Sequence, residues 1–459
     1  MQTANLKSAQ ALRPQNKSYP AGGTKNTKPH QKARNGRGQR GVIVAPPSGN
    51  TDPLGMTVLH RGFDTLALAI KANIPDDLFA YLEAEKERAD KERREVLIDY
   101  NGVKLHLKAH GGNGYRFIAS GGPDGATWFF KKPNAKDEWG IRLSFGSYFM
   151  ATNGLGRAKA HVEDTLERLG IRFGPDDVSI SRADFCVDIL APDFELNPEQ
   201  FVMHSAAGRR DFLADAEKSI NGKSGRTTSV TVGGPRNRQV IIYDKRAEVI
   251  AHKKTYWWDI WNHTLGYIGT GQPRNITLHR GDNPPAALSP DPEQAQANRV
   301  WRVEFRAGKD LLKDTWGIRT WEQLFDRFGD LCRQSGEAVR YTEPDPTDSN
   351  RARWLNHPLW EIVCAEMNDD LIEMRSGADP NPMKEVHREQ HISTIFRNVY
   401  GSSITIAALE GAEAEDLSEA FADLARQMQD EVKATPQKAA KQLQDAKERY
   451  VFIQRPEPT

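Results

Sequence analysis

Three segments of this sequence alternate between apolar and polar residues, and this pattern constrains the fold more than any other feature. They span residues 181–189, 238–245 and 300–306. Successive side chains of a β-strand point to opposite faces of a sheet, so a period of two predicts strands with one apolar and one polar face. Such half-polar strands are typical of antiparallel sheets.

The order of the other patterns predicts an α+β fold. Asn101-Gly102 joins two alternating runs, which is one of the strongest short signals for a β-hairpin. Pro75 and Gly170 mark where helices between the strands begin and end. The basic segment 197–225 is predicted to be helical. We therefore expect antiparallel sheets with helices packed on one face, followed by a helical C-terminal region.

Composition divides the chain into four parts. Residues 1–55 are predicted to be a disordered basic arm, because the first 50 residues hold nine Lys or Arg and no acid, with little apolar surface to bury. Such an arm would attract phosphates, or would serve only as a solubilising tail. Residues 56–310 form the predicted α+β domain. Residues 311–383 are a helical extension that includes the capping box Thr320–Gln323, and residues 384–459 are C-terminal helices.

Composition also excludes several classes of protein. The hydrophobic fraction is 38% and the mean hydropathy is −0.66, and no apolar run approaches the ~18 residues that span a bilayer. No apolar signal-peptide core follows Met1. The three cysteines, Cys186, Cys332 and Cys364, are far apart and lack metal-ligand spacing. We expect a cytoplasmic protein that is not bound to a membrane.

One candidate reactive group lies in the segment 238–245. Tyr243 and Lys245 fall on the same face of this predicted strand. A nearby ammonium favours the phenolate and so lowers the pKa of a phenol, which normally lies near ~10. An ionised phenol is a nucleophile. The ordinary alternative is that Tyr243 is a packing residue of the sheet.

Acidic side chains are concentrated on the polar faces of the other two strands. Asp184 and Asp188 share one face, and Glu304 lies between Arg302 and Arg306 on another. Aspartate is uncommon in strands. Carboxylates gathered on one sheet face are ligands that Mg²⁺ or Mn²⁺ prefers. The alternative is a half-exposed face with cross-strand Arg–Asp and Arg–Glu pairs.

Four ordered motifs resemble those of the replication initiation factor family. These are the rolling-circle initiators of plasmids and filamentous phages, together with related relaxases of integrative elements. The resemblance covers roughly residues 60–310. The motifs are RADFCVD at 182–188, TTSVTVGG at 227–234, RQVIIYDKRAE at 238–248 and WRVEFR at 301–306.

The resemblance implies a curved antiparallel sheet with a metal-dependent DNA nickase site on its concave face. Tyr243 would attack the scissile phosphate, giving a 5′-phosphotyrosine and a free 3′-hydroxyl that primes replication. Lys245 would hold the phosphate, and Glu248 would orient Lys245 or join the metal shell. The implied metal ligands are Asp184 and Glu304, with Asp188 as a weaker third. The expected DNA-binding arginines are Arg182, Arg209, Arg210, Arg238, Arg302 and Arg306.

One feature departs from the better-known tyrosine nickases. Those enzymes bind metal through a His-hydrophobic-His triplet, which this sequence does not contain. A nickase with this sequence would therefore need a carboxylate metal site holding Mg²⁺ or Mn²⁺. It would work in the bacterial cytoplasm on origin duplex and single-stranded DNA, with a helicase and a second copy of the chain as further partners.

Three other functions compete with this one. A non-catalytic initiator could bind an origin or a single strand through the basic arm and the aromatic residues of segments 115–119 and 127–130. The chain could instead be the relaxase of a mobile element. A tyrosine recombinase is disfavoured because its tyrosine lies on a helix, whereas Tyr243 is predicted to lie on a strand.

Overall fold

The computed structural model describes residues 55–205, 208–211, 217–268, 272–273, 287–367 and 380–454. The predicted basic arm, residues 1–55, lies almost entirely outside this part of the chain. No helix in the described ranges combines the length and apolarity that crossing a bilayer requires.

The central element is one sheet of eleven strands, every pair of which is antiparallel. In chain order its strands are β1 Thr57–Ile70, β2 Val96–Tyr100, β3 Val103–Leu107, β4 Phe117–Ser120, β5 Thr127–Phe130, β6 Ile141–Phe145, β7 Val178–Leu190, β10 Lys218–Lys223, β11 Arg226–Val232, β12 Arg238–Asp244 and β15 Val300–Gly308. Five short strands of the described residues lie outside it: β8 Phe201–Ser205, β9 Gly208–Asp211, β13 Tyr267–Ile268, β14 Gln272–Pro273 and β16 Val339–Tyr341.

The strands are not arranged in chain order. Across the sheet the order is β10-β11-β12-β15-β7-β1-β6-β5-β4-β3-β2. The last strand of this sheet to be synthesised, β15, is therefore inserted between β12 and β7. It joins the three strands β10–β12 to the seven strands β1–β7.

Nine α-helices are seen in the described residues. They are α1 Asp76–Glu92, α2 Ser147–Arg168, α3 Lys245–Ala251, α4 Tyr256–Thr264, α5 Trp321–Ala338, α6 Pro358–Glu366, α7 Pro380–Leu409, α8 Leu417–Ala434 and α9 Pro436–Arg449. The α+β class, with a large antiparallel sheet and a helical C-terminal region, is confirmed.

The apolar face of the sheet forms the main core. Helices α1, α2, α5 and α6 contribute buried side chains to it. Phe63 of β1, for example, packs on Phe328 of α5, with ring centroids 5.3 Å apart. Helix α5 begins with the predicted capping box, in which Thr320 accepts from the backbone N–H of Gln323. Residues 311–367 thus share the core of the sheet.

Helix α4 lies over the opposite, polar face. Trp257, Trp258 and Trp261 are buried in a second apolar cluster with Leu59 of β1 and Val300 of β15. This cluster closes one end of the polar face and leaves the rest uncovered by α4.

The helical prediction for residues 197–225 is wrong. Apart from a short 3-10 turn at Pro198–Gln200, the described part of this segment forms β8, β9 and β10. Strand β10 is exposed on both faces and has a single large apolar residue, Ile220, so it shows no alternation of apolar and polar residues. Ser224 and Gly225 turn β10 into β11, and both have positive φ, of 52° and 76°.

The C-terminal helices meet the sheet at its far edge. Arg94 Nη2 donates to Asp445 of α9 at 2.8 Å, and the ring of Phe452 packs on His106 of β3 with centroids 4.9 Å apart. This C-terminal segment therefore covers the polar face at the β3 end.

Candidate active site on the polar sheet face

Cross-strand register brings the predicted site residues together. Tyr243 on β12 lies opposite Arg302 on β15, which lies opposite Asp188 on β7. In the adjoining rows, Glu304 lies opposite Cys186 and Arg306 opposite Asp184. Tyr243 and Glu304 are diagonal neighbours, as are Glu304 and Asp184, with Cα atoms of such pairs about 7–8 Å apart.

Arg302 organises the closed end of this face. Its Nε and Nη2 donate to both carboxylate oxygens of Asp188, at 2.5 and 2.8 Å, and its Nη1 pairs with Asp64. The guanidinium carbon lies 4.2 Å from the ring centroid of Trp257. Arg302 is fully buried, and its donors are taken up by the carboxylates of Asp188 and Asp64.

Both oxygens of Asp188 take part in this network. Its second oxygen also accepts from the indole N–H of Trp261 at 2.8 Å. Burial alone would raise the pKa of Asp188, but the Arg302 charge and hydrogen bonds hold that pKa below its ordinary value. Asp188 therefore stays ionised, with both of its oxygens already accepting hydrogen bonds.

The sequence patterns missed Asp64 and His60. A β-bulge between Phe63 and Thr65 places Asp64 beside Arg302. His60 lies opposite Asp188, and burial lowers its pKa to about 4. The sequence signal that could have identified them is the presence of polar residues in β1, a strand that is otherwise largely apolar.

Asp184 and Glu304 form a second acidic pair, which is also buried. Arg182 Nε donates to Asp184 Oδ2 at 2.7 Å, and Arg306 Nε donates to Glu304 Oε1 at 2.6 Å. The remaining oxygens, Asp184 Oδ1 and Glu304 Oε2, are buried without a hydrogen-bond partner. Burial raises the pKa of Asp184 to about 7, opposed by the bond from Arg182 and reinforced by the charge of Glu304.

These two orphaned oxygens fit a hard divalent cation. Carboxylate oxygens are the preferred ligands of Mg²⁺ and Mn²⁺, and Mg²⁺ commonly uses one or two carboxylates, with water and phosphate completing its shell. No cluster of three or more His, Cys, Asp or Glu suited to a metal occurs in the described residues. A cation here would take Asp184 and Glu304 from the protein.

Tyr243 lies at the border between the buried network and solvent. It is half-buried, and Lys245 Nζ donates to its hydroxyl at 3.5 Å. Lys245 is itself buried and pairs with Glu248 at 2.8 Å. Glu248 also accepts from Lys254 at 2.6 Å, so it positions Lys245.

The predicted lowering of the Tyr243 pKa is wrong. Burial raises the pKa of this phenol well above 10, and the charge of Arg302 only partly opposes that effect. Burial also lowers the pKa of Lys245. For Tyr243, the free-energy cost of burying the phenolate is larger than the stabilisation that the neighbouring cations provide.

The other predicted DNA-binding arginines are dispersed. Arg182 and Arg306 lie beside the acidic pair with 39% and 33% of their side-chain surface exposed. Arg238 points to the apolar face, where it donates to Ser335 of α5 at 3.1 Å. Arg209 and Arg210 are in β9, outside the large sheet, and their side chains lie outside the described part of the structure.

Comparison with known proteins gives weak structural similarity. No family model matches the sequence, and no curated protein is similar to it. The chain resembles a solved structure described as a rolling circle replication initiator protein from Geobacillus stearothermophilus, with 14% identity and a TM-score of 0.35. The match covers 71% of this chain and 100% of that one. At this level the similarity does not assign a role to any residue.

Asp184 should make the fold less stable as pH rises. Its folded pKa of about 7 exceeds the unfolded value near ~3.9. The folded state therefore binds more protons between about pH 4 and 7, and stability falls through that interval. Asp184→Asn should remove this fall and raise Tm at pH 8 by a few degrees. Thermal melting from pH 4 to 8 measures the effect, and an unchanged pH dependence in Asp184→Asn would contradict it.

Proposed function

We propose that this chain is a DNA strand nickase of the rolling-circle initiator type, with Tyr243 as the nucleophile. The observation that carries the proposal is the convergence of a half-buried phenol, a lysine ammonium and two carboxylates with unpaired oxygens on one sheet face. The motif resemblance described above supports the same assignment. The relaxase of a mobile element would use the same chemistry.

The step proceeds by attack of the Tyr243 oxygen on a DNA phosphorus atom. The phenol loses its proton, the new O–P bond forms, and the bond from phosphorus to the 3′-oxygen breaks. The 3′-oxygen takes up a proton, which leaves a 5′-phosphotyrosine and a free 3′-hydroxyl. Because burial raises the phenol pKa, the phenol is protonated before DNA binds, and its proton has to be removed during the step.

Each neighbouring group has a defined task in this step. The Lys245 ammonium, which donates to the Tyr243 hydroxyl and pairs with Glu248, would hold a non-bridging phosphate oxygen. Asp184 and Glu304 would hold Mg²⁺ or Mn²⁺, which would neutralise phosphate charge and stabilise the leaving oxygen. Arg306 and Arg182 keep the two carboxylates in place.

Substituting the acidic pair separates an enzyme from a binding protein. We expect Asp184→Asn and Glu304→Gln each to reduce Mn²⁺-dependent nicking of a supercoiled plasmid by at least about 100-fold, since metal neutralisation is worth several kcal/mol. Binding of the same DNA should persist. Asp176→Asn, an exposed acid before β7, is the matched control and should nick normally.

Two results would contradict parts of this proposal, one concerning catalysis and the other concerning the role of the acids. Binding without any nicking by the natural chain would favour a non-catalytic initiator. Nicking that survives both acidic substitutions would show that the acids are structural partners of Arg182 and Arg306.

A cation should also stabilise the protein directly. Millimolar Mn²⁺ should raise Tm at pH 8, where Asp184 is ionised, and raise it less at pH 5, where a proton competes for the site. Asp184→Asn should lose the response. An equal Mn²⁺ response in the natural chain and Asp184→Asn would place the cation elsewhere.

A further inference from the structure

Beyond the acidic pair, the polar face continues towards β5 without cover from α4. In the next row, Arg182 lies opposite Ala67 of β1, which lies opposite Ser144 of β6. One row further, Ala69 lies opposite Arg142 of β6. The small residues Ala67, Ala69 and Ser144 thus lie between Arg182 and Arg142 on a diagonal across the strands, which we call the trough.

The trough ends on an aromatic and cationic platform, defined as Tyr115, Phe129, Lys131 and Arg142. Phe129 on β5 lies opposite the exposed Arg142. The rings of Phe129 and Tyr115 are 5.9 Å apart, and Lys131 Nζ lies 4.7 Å from the Tyr115 ring centroid. Both rings are half-buried, so part of each remains available to a ligand.

This placement differs from that of the other aromatic residues in the same strands. Phe117, Trp128 and Phe130 point to the apolar face and are at most 1% exposed. They belong to the core and cannot stack on a ligand. Of the aromatic residues that the sequence offered for stacking, only Tyr115 and Phe129 are accessible.

Charge beside the platform favours an anionic ligand. A cleft of about 590 Å³ adjoins Tyr115 and is lined by the cations Arg116, Lys131, Lys132 and Lys136, with Asp137 as the single acid. Ion pairs with Asp137, Asp76 and Glu83 offset part of this charge. At the β3 end of the polar face, the C-terminal segment covers His106 and limits how far a bound ligand can extend.

The dimensions suit a short single strand of nucleic acid. From Asp184 to Phe129 the path crosses three strand spacings and shifts by two rows, a distance of roughly 20 Å. Single-strand binding folds contact about 4–16 nucleotides, combining cations along the backbone with aromatic rings that stack on bases. A duplex offers no unstacked base to Phe129.

We propose that one unpaired DNA strand lies diagonally across this face, with its phosphates on Arg306, Arg182 and Arg142 and a base stacked on Phe129. The choice of DNA as ligand rests on the proposed nicking function, whereas the path itself rests on the register of the sheet. The platform would hold the strand on one side of the bond that Tyr243 breaks.

Fluorescence anisotropy with labelled oligothymidylates of about 20 and about four nucleotides tests the path. Phe129→Ala should weaken binding of the longer oligonucleotide about tenfold, and Phe129→Trp should preserve it, because stacking contributes a similar factor in other single-strand sites.

Arg142→Ala should make binding of the longer oligonucleotide less dependent on salt, reducing the magnitude of the slope of log K against log salt concentration by about 0.7. Each of these substitutions should change the binding affinity for the short oligonucleotide by a smaller factor. Arg172→Ala, an exposed arginine after α2, is the matched control.

The failures of the two proposals are distinguishable. If Phe129→Ala and Arg142→Ala bind the longer oligonucleotide as the natural chain does, the path is wrong, whatever the nicking assay gives. If both weaken binding while no covalent DNA adduct forms with the natural chain, the path stands and the nicking function fails. Tighter binding of oligouridylate than oligothymidylate would overturn DNA as the ligand.

Discussion

Tyr243→Phe should abolish the covalent protein–DNA adduct while leaving the fold intact. The substitution removes one oxygen, whose hydrogen bond in the folded chain comes from Lys245 at the long distance of 3.5 Å, so Tm should change little. Without that oxygen no phosphotyrosine can form, and we expect adduct yield to fall at least about 1,000-fold. Denaturing gel electrophoresis of the protein after incubation with a labelled supercoiled plasmid carrying DNA from around its own gene measures the adduct.

Tyr256 provides the matched control for this experiment. Its hydroxyl bonds to Ser147 at 2.8 Å, and burial raises its pKa to about 12. It lies on α4, close to the same buried network. Tyr256→Phe should leave the adduct unchanged. If the adduct persists in Tyr243→Phe and disappears in Tyr256→Phe, the nucleophile is Tyr256.

Arg302→Leu should produce the largest loss of stability of any substitution in the site. Arg302 is the shared partner of two carboxylates, those of Asp188 and Asp64. Removing it leaves both without their counter-ion, and removal of one partner from a buried ion pair costs about 3–5 kcal/mol. Arg302→Lys should restore little, because an ammonium cannot donate to Asp188 in two parallel bonds. Urea unfolding followed by circular dichroism gives the free energy.

An exposed ion pair provides the control for this loss in the free energy of unfolding. Arg236 is 81% exposed and pairs with Asp310 at 3.2 Å. Such surface pairs contribute about 0–1 kcal/mol, so Arg236→Leu should be nearly neutral. Equal losses for Arg302→Leu and Arg236→Leu would mean that the buried network contributes no more than a surface pair.

The main features of the sheet could be predicted because one face is apolar. A shift of one residue would expose an entire apolar set, so the alternation in β7, β12 and β15 determines which side chains share a face. This is why Tyr243, Glu304 and Asp184 were expected on the same side. Strand β10 escaped prediction for the converse reason, since its exposed residues give the pattern no apolar face.

The closed end of the site could not be predicted because it depends on contacts distant in sequence. Asp64 reaches Arg302 through a bulge, which shifts the register by one residue and leaves no simple repeat. Trp261 reaches Asp188 across 73 residues. The Tyr243 pKa was misjudged for a related reason, because adjacency in sequence shows a neighbouring charge but not the depth of burial.

The insertion of β15 between β12 and β7 has a consequence for how the protein is made on the ribosome. Until residue 308 has emerged, the inner edges of β12 and β7 both lack a partner, and Glu304 and Arg302 are absent from the polar face. Unpaired inner edges are sites of aggregation, so nascent chains that stall before residue 300 should be prone to misassembly. A truncated product ending before β15 would also lack Glu304, one of the two acids that the proposed nicking reaction requires.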